Sequence, residues 1–169
     1  MKGKILLVDD DNTVLEVRSR DLPDEGYNVL TAETGQKALQ IAEDKELDLV
    51  ICDVRIPDIN GIEILRRIRA KQRDIRTIII TGYASETTPV EAIKLGVNDY
   101  LLKPFEYEEF INAVNNNIEH LRLQRENEAL KAKLTEANRA LQWELGQPPV
   151  LMKELIGEMG GADLIVVNA

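Results

Sequence analysis

Lys4-Ile5-Leu6-Leu7-Val8-Asp9-Asp10-Asp11 is a short apolar run stopped by three carboxylates. Four apolar residues in succession, Ile5 to Val8, form the pattern of a strand buried on both faces, which is characteristic of parallel sheets. Four further runs of this kind follow, at 27–31, 47–52, 76–81 and 99–102. Between them lie longer stretches whose apolar residues recur three or four apart, so strand and helix periods alternate through residue 105.

The helical stretches are punctuated where helices begin and end. They run from Asn12 to about Leu22 ahead of Pro23, and over 34–44, 61–71 and 88–95. In the last, Thr88 suits the cap, Pro89 the first helical position and Gly96 the C-terminus. Strands about 20 to 25 residues apart leave room for a right-handed crossover helix each time. The predicted fold is α/β, a doubly wound five-stranded parallel sheet.

Beyond Glu106 no strand-like run, glycine or proline occurs until Gly146, which predicts one helix about 60 Å long. Phe110, Ile111, Val114, Ile118 and Leu121 have the spacing of a helix packed on the sheet. A second phase then begins: Leu123, Leu130 and Ala137 fall at one heptad position, and Asn127, Leu134 and Leu141 at the other. A lone polar seam residue such as Asn127 favours a parallel two-stranded register, and Glu126 and Lys131 fall where partner helices exchange charges. After Gln147-Pro148-Pro149, residues 150–159 read as a short amphipathic helix and 164–167 as a strand. No function attaches to this tail.

The chain has 169 residues, 44% hydrophobic and 30% charged, with 30 acidic and 21 basic residues for a net charge of −9. That balance fits a folded soluble protein and opposes binding to duplex nucleic acid, which requires a basic face. Residues 106–169 carry 11 acidic and 6 basic residues, so the excess acid continues past the sheet and points to a protein partner. The single cysteine, Cys52, requires no oxidising compartment and reads as a small buried hydrophobe. No apolar run reaches the roughly 20 residues a membrane helix needs. The expected localisation is cytoplasmic.

In an open parallel sheet, ligands bind outside the carboxyl ends of the strands. Those ends carry Asp9-Asp10-Asp11 on the first strand, Asp53 on the third, Thr81 on the fourth and Lys103-Pro104 on the fifth. Gathered carboxylates repel one another unless a cation sits among them, and an oxygen-only donor set suits Mg²⁺. A divalent ion, a carboxylate, a hydroxyl and an ammonium are the parts needed for phosphoryl transfer. Asp53, alone on the central strand, is the candidate nucleophile. Asp9 and Asp10 are placed to hold the metal, with Thr81 and Lys103 on the phosphoryl oxygens.

Ile5-Leu6-Leu7-Val8-Asp9-Asp10-Asp11, Cys52-Asp53-Val54-Arg55-Ile56-Pro57-Asp58-Ile59-Asn60-Gly61, Ile78-Ile79-Ile80-Thr81-Gly82 and Asp99-Tyr100-Leu101-Leu102-Lys103-Pro104-Phe105 resemble, in this order, the receiver domain of two-component response regulators. The wording is most similar to receivers of nitrogen-regulation-type activators. The resemblance covers about residues 3–121 and implies a flavodoxin-like sheet of order 2-1-3-4-5 that accepts a phosphoryl group on Asp53 from a histidine kinase or phosphotransfer protein. It further implies Mg²⁺ held by Asp10, Asp53 and the backbone carbonyl of Arg55, with Asp9 direct or through water. Thr81 and Tyr100 would form a switch pair, and the bond before Pro104 would be cis.

The domain expectation is a receiver at 1–121, a helical extension forming a parallel coiled coil at 122–145, and a tail at 146–169. The chain is expected to be no enzyme in the usual sense: a self-catalysed phosphoacceptor, homodimeric through the 106–145 helix, acting on a downstream protein, touching neither nucleic acid nor membrane. One alternative is the receiver fragment of a longer transcriptional activator. A more distant one is a haloacid-dehalogenase-type phosphatase, since Asp9, Asp11 and Thr13 have the spacing of that family's Asp-x-Asp-x-Thr run.

Overall fold

Strands β1 (Lys4–Val8), β2 (Asn28–Ala32), β3 (Leu49–Asp53), β4 (Arg76–Thr81) and β5 (Asp99–Leu102) form one sheet, all parallel, in the order β2-β1-β3-β4-β5. The structure, a computed structural model, describes residues 1–82, 89–94 and 96–146. Helices α1 (Asn12–Asp24), α2 (Gly35–Asp44), α3 (Gly61–Lys71), α4 (Pro89–Lys94) and α5 (Tyr107–Glu144) follow the strands in turn.

The period-two alternation of the strands divides the core into two layers. Leu6, Val8, Val50, Cys52 and Ile79 face one side, packed with Ala38 and Ala42 of α2, Ile64, Leu65 and Ile68 of α3 and Ala92 of α4. Ile5, Leu7, Leu49, Ile51, Ile78 and Ile80 face the other, against Leu15 and Leu22 of α1 and Phe110, Val114 and Ile118 of α5. Every residue of β3 is buried, as a central strand covered on both faces must be.

β1, β4 and β5 have the bounds their sequences predict, whereas β2 and β3 start one and two residues later. Tyr27 gives its N–H to Leu22 at the end of α1, and Leu47 gives its N–H to the Gln72 side chain, so neither joins the ladder. The first helix runs past Pro23 to Asp24. A proline in the last turn lacks one N–H, and that turn is closed from outside by Gly26, whose φ of 94° lets its N–H reach the Pro23 carbonyl. Gly96 (φ 83°) closes α4 through its N–H to Ile93. The expected cap Thr88 and the tail elements at 150–159 and 164–167 lie outside the described residues.

α5 is a single helix of 38 residues, about 57 Å long. The chain divides after Arg122 into two units. In the first, Phe110, Ile111, Val114, Ile118 and Leu121 are all buried. In the second, Leu123, Leu130, Leu134 and Leu141 are 42–64% exposed. Among the described residues no helix is long and apolar enough to cross a membrane.

Phe110 anchors α5 to the sheet. It is fully buried, stacks on Phe105 at 5.8 Å, and lies with it under the Arg18 guanidinium, 4.8 and 4.9 Å from the two ring centres. Phe110→Ala is expected to lower stability by about 3–5 kcal/mol, the range for emptying a buried phenylalanine site. Urea unfolding followed by circular dichroism checks this.

Candidate functional site

The parallel sheet brings the ends of β1, β3, β4 and β5 to one rim. Asp9 follows β1 directly and is only 3% exposed. Its backbone N–H joins Ala32, and its carboxylate accepts the Asp11 N–H at 2.9 Å. Asp53 ends β3, is 8% exposed, and accepts the Arg55 N–H at 2.9 Å on one oxygen. Its other oxygen takes the Lys103 ammonium at 2.6 Å, and the same ammonium lies 3.5 Å from Asp9.

Lys103 reaches this point because the backbone leads it there. Its N–H bonds to the carbonyl of Thr81 at 2.8 Å, fixing the end of β5 against the end of β4, and its bond to Pro104 is cis. Thr81 is buried at the end of β4, beside β3. Tyr100, on β5, is half-buried against the core layer of α2, α3 and α4. Asp53, Asp9, Thr81 and Lys103 thus share one rim, with Tyr100 three residues before the lysine.

The backbone behind Asp53 admits no slack. A Cβ at Gly61 would fall 2.0 Å from the Asp53 carbonyl oxygen, so only glycine lets α3 begin this close to the end of β3. Asn60 caps α3 through the Ile62 N–H at 2.9 Å.

Burial pushes the Asp9 carboxyl above its ordinary range, with the Asp53 charge adding to the effect; the Asp11 N–H and Lys103 oppose it without cancelling it. Lys103 is raised on balance. Burial alone lowers it, but the hydrogen bond to Asp53 and the charges of both carboxylates outweigh burial. A carboxyl raised in the folded state contributes full stability below its unfolded pKa, and that contribution is lost as pH rises through the folded value. Asp9→Asn is therefore expected to be more stable than the natural chain at neutral pH in chelator, the advantage disappearing in acid. Melting curves across pH in EDTA check the sign.

Asp10 is exposed and borders an open cavity of about 530 Å³ with Val54, Arg55, Ile56, Pro57 and Asn60. Among the described residues no three His, Cys, Asp or Glu side chains converge on a metal-sized point. The donors here are oxygens from few side chains beside an open space. This suits an ion that keeps several waters, as Mg²⁺ does, and not zinc, which takes nitrogen or sulfur in a closed tetrahedron. On the other flank, Val14, Val17, Arg18, Lys103, Pro104 and Phe105 line a cavity of about 720 Å³.

Asp11 does not face the cluster. Its carboxylate accepts the N–H groups of Thr13 and Val14 as the cap of α1, which removes it from the phosphatase-like role its spacing suggested. Cys52 is fully buried, its thiol pushed well up by burial, and it packs as a small apolar residue. Sequence reasoning missed Asp58, whose carboxylate crosses to the N-terminus of α2. It also missed the seat of Arg18 over Phe105 and Phe110. Both are contacts between distant segments with no local pattern to mark them.

The response regulator receiver domain model matches residues 5–115. The transcriptional regulatory protein ZraR of Salmonella typhimurium is 35% identical over 161 residues, covering 94% of this chain and 35% of that protein. A CheY-like receiver domain protein from Methanospirillum hungatei superposes with a TM-score of 0.68 at 28% identity, covering 72% of this chain and 97% of its own. The response regulator TrrA of Thermotoga maritima, in complex with Mg(2+)-BeF, does so at 0.62 and 32% identity, covering 68% and 97%. The chain spans 24–35% of the length of the ZraR relatives it matches. With the five strands in the order 2-1-3-4-5 and the family's motifs at the rim, the chain belongs to the response regulator receiver family.

Proposed function

We propose that this protein accepts a phosphoryl group on Asp53 from a histidine kinase or phosphotransfer protein, in a Mg²⁺-dependent and self-catalysed step. The observation that carries the reading is the Asp53 carboxylate, buried at the end of the central strand with the Lys103 ammonium 2.6 Å away. Asp10, Asp53 and the Arg55 carbonyl would hold the ion, with Asp9 direct or through water. Bound there, it would offset charge on the phosphoryl oxygens. That the TrrA complex contains Mg(2+)-BeF supports a Mg²⁺-dependent step.

In the step itself, an Asp53 oxygen forms the new bond to phosphorus as the donor's bond to phosphorus breaks. Lys103 exchanges its contact with the carboxylate for one with a phosphoryl oxygen, and the Thr81 hydroxyl donates to another. The added charge, about −1.5 to −2, then biases the position of Thr81 and of Tyr100 behind it.

The output is a change in protein contacts, and we place it at α5, where Leu123, Asn127, Leu130, Leu134, Ala137 and Leu141 form the seam of a parallel homodimer. A downstream protein, not nucleic acid or membrane, is the expected target of this chain, and the cytoplasm its compartment. A second reading, the receiver portion of a longer transcriptional activator, is favoured by the similarity to ZraR, which extends over 161 residues. The test is incubation with Mg²⁺ and a small acyl phosphate, read by intact mass. One phosphoryl group per chain is expected, and none in EDTA.

A further inference from the structure

The 54–60 loop between β3 and α3 carries the Arg55 carbonyl and also a carboxylate, Asp58, that reaches a distant helix end. One oxygen of Asp58 accepts the Gly35 N–H at 2.8 Å, and the other accepts the Gln36 N–H at 3.0 Å. These are the first two amides of α2, which have no partner within their own helix. The side chain of the local cap, Thr34, accepts the Lys37 N–H, at 3.1 Å. The start of α2 is thus shared between a neighbour in sequence and a loop more than 20 residues away.

Apolar contact closes the same junction. A Cβ at Gly35 would stand 2.9 Å from Ile59 Cβ and 3.0 Å from Ile64 Cδ1, so the buried glycine lets the helix end rest directly on the loop. The two N–H donors hold the Asp58 carboxyl below its ordinary range, so it is ionised at neutral pH. At its far end the loop is fixed by Gly61, whose N–H bonds to the Val54 carbonyl at 2.9 Å and whose Cα abuts the Asp53 backbone. Residues 55–57, with the Arg55 N–H on Asp53 at 2.9 Å and the Ile56 N–H on the Val54 carbonyl at 3.2 Å, run from one held point to another. One is part of the phosphoacceptor strand, and the other is Asp58.

We propose that Asp58 is a positioning residue: by clasping the N-terminus of α2 it sets where the loop presents the Arg55 carbonyl, and so sets the affinity for the divalent ion. The inference rests on the Mg²⁺ reading given above. It predicts that a side chain remote from the ion controls its binding through the backbone.

The test is a Mg²⁺ titration followed by the amide resonances of residues 54–56, in the natural chain, Asp58→Ala, Asp58→Asn and Thr34→Ala. Asp58→Ala is expected to weaken Mg²⁺ binding roughly 10-fold, the size seen when a group that orients a metal ligand is removed. Asp58→Asn keeps one acceptor and should recover part of the loss. Thr34→Ala frays the same helix end without touching the loop, and should leave the affinity unchanged. Natural affinity in Asp58→Ala, or an equal loss in Thr34→Ala, overturns the proposal, since Asp58 would then serve the helix alone. If Asp58→Ala does not fold, the Asn variant decides: reduced affinity supports the clasp and natural affinity overturns it. If the natural chain itself binds no Mg²⁺, the reading of the site fails and the clasp with it, a result separable from one in which only the variants behave alike.

Discussion

Asp53→Asn is expected to take up no phosphoryl group from a small acyl phosphate in Mg²⁺, whereas the natural chain gains one. The amide keeps the shape of the carboxylate and can still accept the Arg55 N–H, now 2.9 Å from the carboxylate. What it lacks is an anionic oxygen able to attack phosphorus. The loss is therefore of the whole signal and not a fraction of it. Neighbouring carboxylates do not substitute: Asp9 is engaged by the Asp11 N–H, and Asp11 caps α1. Intact-mass spectra of both proteins, with and without EDTA, give the answer. A gain of the same size in the variant would sink Asp53 as the acceptor. The substitution also removes one of the two carboxylates facing Lys103, so the variant should remain folded, and circular dichroism separates lost chemistry from lost structure.

The sheet was legible because each strand writes its burial into its composition. Five β-branched runs, three of them almost wholly apolar, have few ways to pack other than between two layers of helices. The rim residues were legible for a related reason: Asp53, Thr81 and Lys103 are polar residues at the ends of apolar runs, where a buried polar group demands a purpose. Strand starts were less legible. Whether Tyr27 or Leu47 joins the ladder depends on Leu22 and Gln72, which no local pattern reveals. Pro23 was read as a stop because a proline interrupts a helix interior, but the final turn here tolerates it with Gly26 beyond. Asp58 was invisible as anything more than a loop residue, because its partners are backbone amides whose position only the tertiary fold determines.

The electrostatic layout of the rim follows from these same contacts. Two buried carboxylates share one ammonium, so the site holds excess negative charge even before Asp10 is counted. Burial is what chiefly raises the Asp9 carboxyl, and the Asp53 charge adds to it. A phosphoryl group arriving on Asp53 would add to the excess charge, and its oxygens would compete with the carboxylates for Lys103. On the proposed reading, binding of a divalent ion and release of the lysine would be complementary, since the ion would replace on the carboxylates the charge that Lys103 would carry to the phosphoryl group.

Replacing Leu130 and Leu134 together by aspartate is expected to convert a dimer into a monomer while leaving phosphoryl uptake unchanged. Both side chains are exposed in the single chain, at 64% and 44%, and both fall at heptad positions of the proposed seam with Leu123 and Leu141. Burying a leucine contributes about 1.5–3 kcal/mol, so four on each helix provide most of what a pair of short heptad helices can gain. Two aspartates in the seam replace that gain with like charges facing each other across the interface. Neither position lies among the buried residues of α5 in the first unit, so the receiver should fold and react as before. Asn127 gives the arrangement a second signature. A seam asparagine satisfies its amide only against its own copy in a parallel pair, and Asn127→Leu should tighten association while relaxing its register. Light scattering before and after phosphorylation measures the mass of each form. A natural chain that remains monomeric in both states, at concentrations where the aspartate variant is indistinguishable from it, would remove the seam from the mechanism and leave the switch to act on another protein.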